Sequence, residues 1–262
     1  MNRRTFLQTG LTLAASAFLE HCDGYSTLEQ SIEIDHSIIT AGNIYFYPGT
    51  DMITSQELST LAERVQSNFN NVGIEFKSIS ITKDFPQLDR LDLVLLCIGY
   101  FPAPLERGYF GGNGINRDNN IKSFFKIPYD EFLISANVGY INITATSSET
   151  TRKINLEKMT VVATHELAHG LGARHLFNKE CEDEENIFTI NFGESCQTDH
   201  PSFMITDIST LTKSELKTAS FDPTNINAMK KFIRVILSDE KYAYPQNRAH
   251  LRKRYLSEPI FI

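Results

Sequence analysis

The sequence predicts an α/β (α+β) fold in which strands and helices alternate ahead of a mostly helical C-terminal part. Three observations carry that expectation. Residues 93–98, Leu-Val-Leu-Leu-Cys-Ile, form a short unbroken apolar run, the pattern of a strand buried on both faces. Before it, Leu58, Leu61, Ala62, Val65 and Phe69 recur at helical intervals behind Thr54-Ser55-Gln56-Glu57, which has capping-box spacing. After it, a strand-like stretch from Val138 to Ala145 precedes a helix expected to begin near Asn155 and to end at Gly172. Strand, helix, strands and helix in that order build an upper lobe around a twisted mixed sheet.

The remaining elements follow from local pattern. Residues 23–40 read as an exposed lead-in. Ile44 and Phe46 before Pro48-Gly49 predict a short strand and turn, and Ile74, Phe76, Ser78 and Ser80 make residues 72–82 strand-like. Asp222-Pro223 is a plausible cap and first turn. Ile226, Met229, Phe232, Ile233 and Ile236 behind it form an apolar stripe that faces a core. The basic stretch from Arg248 to Arg254 is expected to be a solvated helix face. His36, His200 and His250 have no partner spacing and receive no role.

One segment carries chemistry. Residues 165–175 read H-E-x-x-H-x-x-G-x-x-H. On a helix, positions i and i+4 share a face, so His165 and His169 can aim ring nitrogens at one point, with Glu166 one step round. Gly172 can take a positive φ and end the helix, and the returning chain then brings His175 to the same point. Three neutral imidazoles with one open position describe a catalytic zinc site, whereas a structural site is closed by four protein ligands. The extended string fixes two positions more than H-E-x-x-H, which lowers the chance of accidental occurrence about 400-fold.

These residues resemble the metzincin clan of zinc endopeptidases, whose signature is this string followed by a methionine turn. The resemblance implies a metzincin-like catalytic domain with the active-site helix above the C-terminal lobe. His165, His169 and His175 would be the metal ligands, Glu166 the general base and Gly172 the turn before the third ligand. Ser202-Phe203-Met204-Ile205 is the candidate methionine turn, with Met204 as an apolar floor under one Zn2+. Some members place a tyrosine two residues after that methionine. Here the position is Thr206, so that role has no counterpart. Leu176-Phe177 faintly resembles the pappalysin branch. The expected domain spans 41–262, with lobes at about 41–172 and 173–262.

The expected function is therefore exported, zinc-dependent hydrolysis of peptide bonds in a peptide or protein substrate. The alternative is an exported zinc-containing binding or surface protein without activity, and a third option is a zinc hydrolase of another amide or ester. Metzincins are often kept latent by a cysteine or aspartate on the metal. Cys22, Asp23 and Asp35 precede the fold in no such motif, so no switch is expected.

A formal charge of −7 and a pI near 5.5 disfavour nucleic acid as a partner. A monomer is expected. Arg3-Arg4 before the apolar run Phe6 to Leu19 reads as an export signal within residues 1–22, either twin-arginine-like or secretory. Ala15-Ser16-Ala17 fits signal peptidase, while Leu19-Glu20-His21-Cys22 resembles a lipoprotein box that would lipidate Cys22. The product would be periplasmic, extracellular or anchored to a membrane surface. Cys97 reads as a small buried hydrophobe. Cys181 and Cys196 are the natural disulfide in an oxidising compartment, closing a loop of about 16 residues worth ~3 kcal/mol. A second metal site is the other use of that pair. Gly108–Gly114 lacks the lysine and hydroxyl of a phosphate loop and reads as a surface turn; a wall for extended substrate is what the metzincin resemblance would imply there. The carboxylates of Glu180–Glu185 read as a solvated loop, or as a Ca2+ site that nothing else in the sequence supports.

Overall fold

The sheet has the order β2-β1-β3-β5-β4, in a computed structural model that describes residues 33–99, 126, 130–143, 155–177, 201–205 and 211–256, with backbone only for 108–110 and 260–261. Its strands are β1 (Ile39–Pro48), β2 (Ile74–Ile81), β3 (Leu93–Ile98), β4 (Gly108–Phe110) and β5 (Val138–Asn142). The first three and β5 run parallel, and β4 pairs antiparallel to β5 at one edge. The fold class is thus mixed α/β, as the alternation of patterns predicts. The export segment 1–22, Cys22, the pair Cys181 and Cys196, Thr206, the run 180–185 and the glycines 111–114 lie outside the described residues.

β3 is buried on both faces, and its alternation divides the interior. Leu93, Leu95 and Cys97 enter the main cluster with Ile44, Phe46 and Ile141, whereas Val94, Leu96 and Ile98 enter a smaller one with Tyr47, Ile134 and Val138. Burial pushes the Cys97 thiol up to about 12, so it serves as a hydrophobe and not as a nucleophile. β1 is longer than the short strand expected from Ile44 and Phe46.

Helix α1 (Ser55–Asn70) is closed by the capping box. Thr54 Oγ1 accepts from the Glu57 N–H and Glu57 returns a carboxylate oxygen to the Thr54 N–H. Its buried face is Leu58, Leu61, Ala62, Val65 and Phe69, the stripe read from the sequence. A short α2 (Glu131–Asn137), capped by Asp130, enters β5. Helix α3 (Leu156–Gly170) is capped by the Asn155 side chain and is buried from Met159 to Gly170. A helix buried all round lies inside a domain, not on its surface. The Asn68 amide donates to Thr164 Oγ1 at 3.0 Å and ties α1 to α3.

The C-terminal part is helical: α4 (Lys213–Thr218), α5 (Pro223–Ser238), a 3-10 turn (Glu240–Ala243) and α6 (Pro245–Leu256). Short β6 (Leu176–Phe177) and β7 (Ile260–Phe261) pair parallel. Two departures from the sequence reading occur here. First, Arg248 and Arg252 of the basic stretch are buried, 3% and 4% exposed, not solvated. Arg252 donates to the Ala136 carbonyl, and Arg248 to Asn137 Oδ1 and to the carbonyls of Tyr242 and Ala243. Arg252 thus satisfies one of the last carbonyls of α2, which lacks an intrahelical partner, while Arg248 closes the end of the 3-10 turn and grips the Asn137 side chain. Second, the end of the lead-in is strapped to α5. Buried Lys230 donates to the carbonyls of Asp35 and Ser37, and the Asn227 amide oxygen accepts from the Asp35 N–H.

Candidate metal centre

The end of α3 builds the site. Gly172 has φ +88°, and the chain closes the helix with paired bonds: Ala173 N–H to the Ala168 carbonyl at 2.9 Å and Gly172 N–H to the His169 carbonyl at 3.0 Å. That pairing is a Schellman cap, which requires a left-handed residue where glycine stands. A Cβ at Gly172 would lie 2.9 Å from Cγ of Phe232, so the position excludes side chains by backbone conformation and by space.

The turn directs His175 back toward the helix. The Nε2 atoms of His165 and His169 lie 3.0 Å apart, those of His169 and His175 3.0 Å, and those of His165 and His175 3.2 Å. A tetrahedral zinc with bonds of 2.0–2.1 Å sets its nitrogen donors about 3.3 Å apart, so the three nitrogens fit one such ion closely. Their far sides are also held. His165 Nδ1–H donates to the Phe203 carbonyl at 2.6 Å and His169 Nδ1–H to the Ala173 carbonyl at 2.9 Å. A carbonyl only accepts, so each of these neutral rings carries its proton on Nδ1 and presents a lone pair on Nε2 to the shared point. Among the described residues, no fourth histidine, cysteine or carboxylate joins the group.

Burial sets the protonation. It lowers His165 to about 4 and His175 to about 3, and it holds His169 well below the usual range, with the neighbouring imidazoles adding to the effect. All three are neutral at pH 7, as metal ligation requires. Without metal, this has a consequence for stability. In the unfolded chain each imidazole takes a proton near 6.5, but the folded form refuses it until the lower values. Between those limits the unfolded state binds more protons, so stability is complete above 6.5 and is lost as pH falls toward 4. His165 alone contributes on the order of 3 kcal/mol. Thermal melts of chelator-treated protein across that range are expected to fall in midpoint; a flat profile would contradict it.

The other residues singled out by the motif take defined places. Glu166 is 6% exposed and follows His165 on α3. Met204 is fully buried in the main cluster, inside a turn whose successive carbonyls serve both sides of the site. Phe203 accepts from the His165 ring, and Met204 accepts from the Leu176 N–H directly after His175. Asp35, the described residue among those weighed as a latency group, is engaged elsewhere: Arg234 first and then Ser37 hold its carboxylate well below the usual range. Sequence reasoning missed Asn225. Its side chain brackets the backbone of Arg174, the residue before His175.

No family model and no curated protein matches this sequence. Among solved structures, the chain is similar to archaemetzincin from Methanopyrus kandleri. That likeness covers 79% of this chain and 99% of that one, at 11% identity and a TM-score of 0.40.

Proposed function

We propose that this protein is a zinc-dependent endopeptidase in which His165, His169 and His175 hold the metal and Glu166 is the general base. The observation that carries the reading is the convergence of three Nε2 atoms within 3.0–3.2 Å, two of them with the opposite ring nitrogen tied to a main-chain carbonyl. Three protein ligands, with no fourth among the described residues, leave a position for solvent. Zinc held there supplies Lewis acidity, acidifying water toward neutrality and polarising a carbonyl.

This chain's own contribution is positioning and proton movement. Glu166, buried beside His165, takes the proton of the attacking water and passes it to the leaving amine. Met204 floors the site from the turn that anchors His165. β4, a sheet edge hydrogen-bonded only to β5 among the described residues, offers main-chain groups with which an extended peptide can pair. Arg3-Arg4 and the apolar run after them support action outside the cytoplasm.

The test is to incubate the purified protein with an unfolded protein substrate, with and without chelator. Cleavage is expected in the zinc-loaded sample, lost on chelation and restored by zinc. A zinc-loaded protein that leaves a broad peptide library intact would overturn the peptidase reading and favour a binding protein.

A further inference from the structure

We propose that Asn225 is a positioning residue for the metal centre: its side-chain amide fixes the backbone of Arg174 and so sets where His175 presents its imidazole. The inference rests on the reading of the three histidines as metal ligands. Asn225 lies in the first turn of α5, 0% exposed, some fifty residues along the chain from the position it serves. Its Oδ1 accepts from the Arg174 N–H at 2.7 Å and its Nδ2 donates to the Arg174 carbonyl at 2.9 Å. One side chain thus satisfies both main-chain polar groups of a single residue, as a neighbouring strand would.

The amide is itself held. Its Nδ2 also donates to Asp222 Oδ2 at 2.8 Å, and the Asn225 N–H donates to Asp222 Oδ1 at 2.9 Å, so the N-cap carboxylate of α5 fixes the clamp. The reverse amide orientation would set oxygen against a carbonyl and a carboxylate and nitrogen against an N–H, so the network permits one assignment.

The location gives the clamp its purpose. His165 and His169 sit on a buried helix with both Nδ1 atoms tied down, so their directions are set by α3 and its cap. His175 lies beyond the positive-φ turn, outside any helix, where helical geometry no longer fixes its direction. Between Gly172 and His175 the chain has two residues. Ala173 is bonded into the cap and Arg174 is bonded to Asn225. The pair carries the rigidity of α3 on one side and of α5 on the other into the third ligand. Partners that orient a metal ligand are worth about 10–100-fold in metal affinity.

The experiment measures zinc affinity by competition with a chromogenic chelator in four proteins: wild type, Asn225→Ala, His175→Ala and the double variant. Asn225→Ala is expected to weaken zinc binding about 10-fold or more in the wild-type background. With His175 already absent the same change is expected to alter affinity less than about 2-fold, because its effect runs through that ring. Ile236→Ala, a core change near the far end of the same helix, is expected to lower the melting temperature while leaving zinc affinity at the wild-type value. Unchanged affinity in Asn225→Ala overturns the proposal, and so does an equal loss in the presence and absence of His175. If Asn225→Ala does not fold, Asn225→Asp, which keeps the acceptor and removes the donor, carries the same comparison. A wild type that takes up no zinc overturns the peptidase reading, and this inference with it, which separates the two failures.

Discussion

Glu166→Gln is expected to lower kcat/KM for peptide cleavage by about 10³-fold while the protein keeps its full complement of zinc. The reasoning is a separation of roles. Glutamine keeps the shape of glutamate and can still accept hydrogen bonds, but it cannot take the proton of the attacking water or return it to the leaving amine. The three Nε2 atoms that converge within 3.0–3.2 Å do not include this side chain, so metal binding is expected to survive. Activity against a quenched peptide and zinc stoichiometry, measured on one preparation, decide the matter. Cleavage at the wild-type rate would remove Glu166 from the reaction. Loss of zinc in step with loss of activity would instead make it part of the metal's support.

Gly172→Ala carries the second large effect, on stability and on the site together. A residue with a Cβ pays ~1–2 kcal/mol to hold φ near +88°. The new Cβ would also approach Phe232 to 2.9 Å at Cγ and 3.0 Å at Cδ2, and that ring is 2% exposed and packed against Tyr255. Overpacking of this kind costs ~1–3 kcal/mol, so the sum is about 3 kcal/mol. Denaturant melts of the chelated protein are the direct measurement. Zinc affinity is expected to fall as well, because the same turn places the Ala173 carbonyl that holds His169 and begins the path to His175. A variant as stable as wild type would show that the turn relaxes without strain.

Much of the fold was legible where the determining signal is local. The Thr54–Glu57 box and the stripe from Leu58 to Phe69 define α1 within one stretch of chain. The apolar run 93–98 is a strand whose alternate residues enter different clusters. The convergence of the three histidines was legible for the same reason, since eleven consecutive residues and the pitch of a helix determine most of its geometry. What was not legible depends on residues far apart in sequence. The strand order follows from crossovers that local patterns do not encode. Arg248 and Arg252 looked like solvated charge because the Asn137 side chain and the Ala136 carbonyl that they bind at the end of α2 lie more than a hundred residues away. Asn225 carries no mark of its role, because what it binds is the backbone of Arg174, which any residue type but proline would supply. The second helix cap, Thr212 with Glu215 ahead of α4, repeats the signature of the first and was within reach of the same reasoning.

The supports of His165 and His169 are oxygen atoms of the peptide chain itself, at Phe203 and Ala173. A point substitution can delete a side chain, yet it cannot delete a carbonyl. Shape-preserving changes at 203 or 173 therefore leave both acceptors in place, and a survey of variant tolerance would rank these positions by how well the replacement packs, blind to their service to the imidazoles. Damage to that support must come from rerouting the chain, by an insertion in the 201–205 turn or a proline that displaces it.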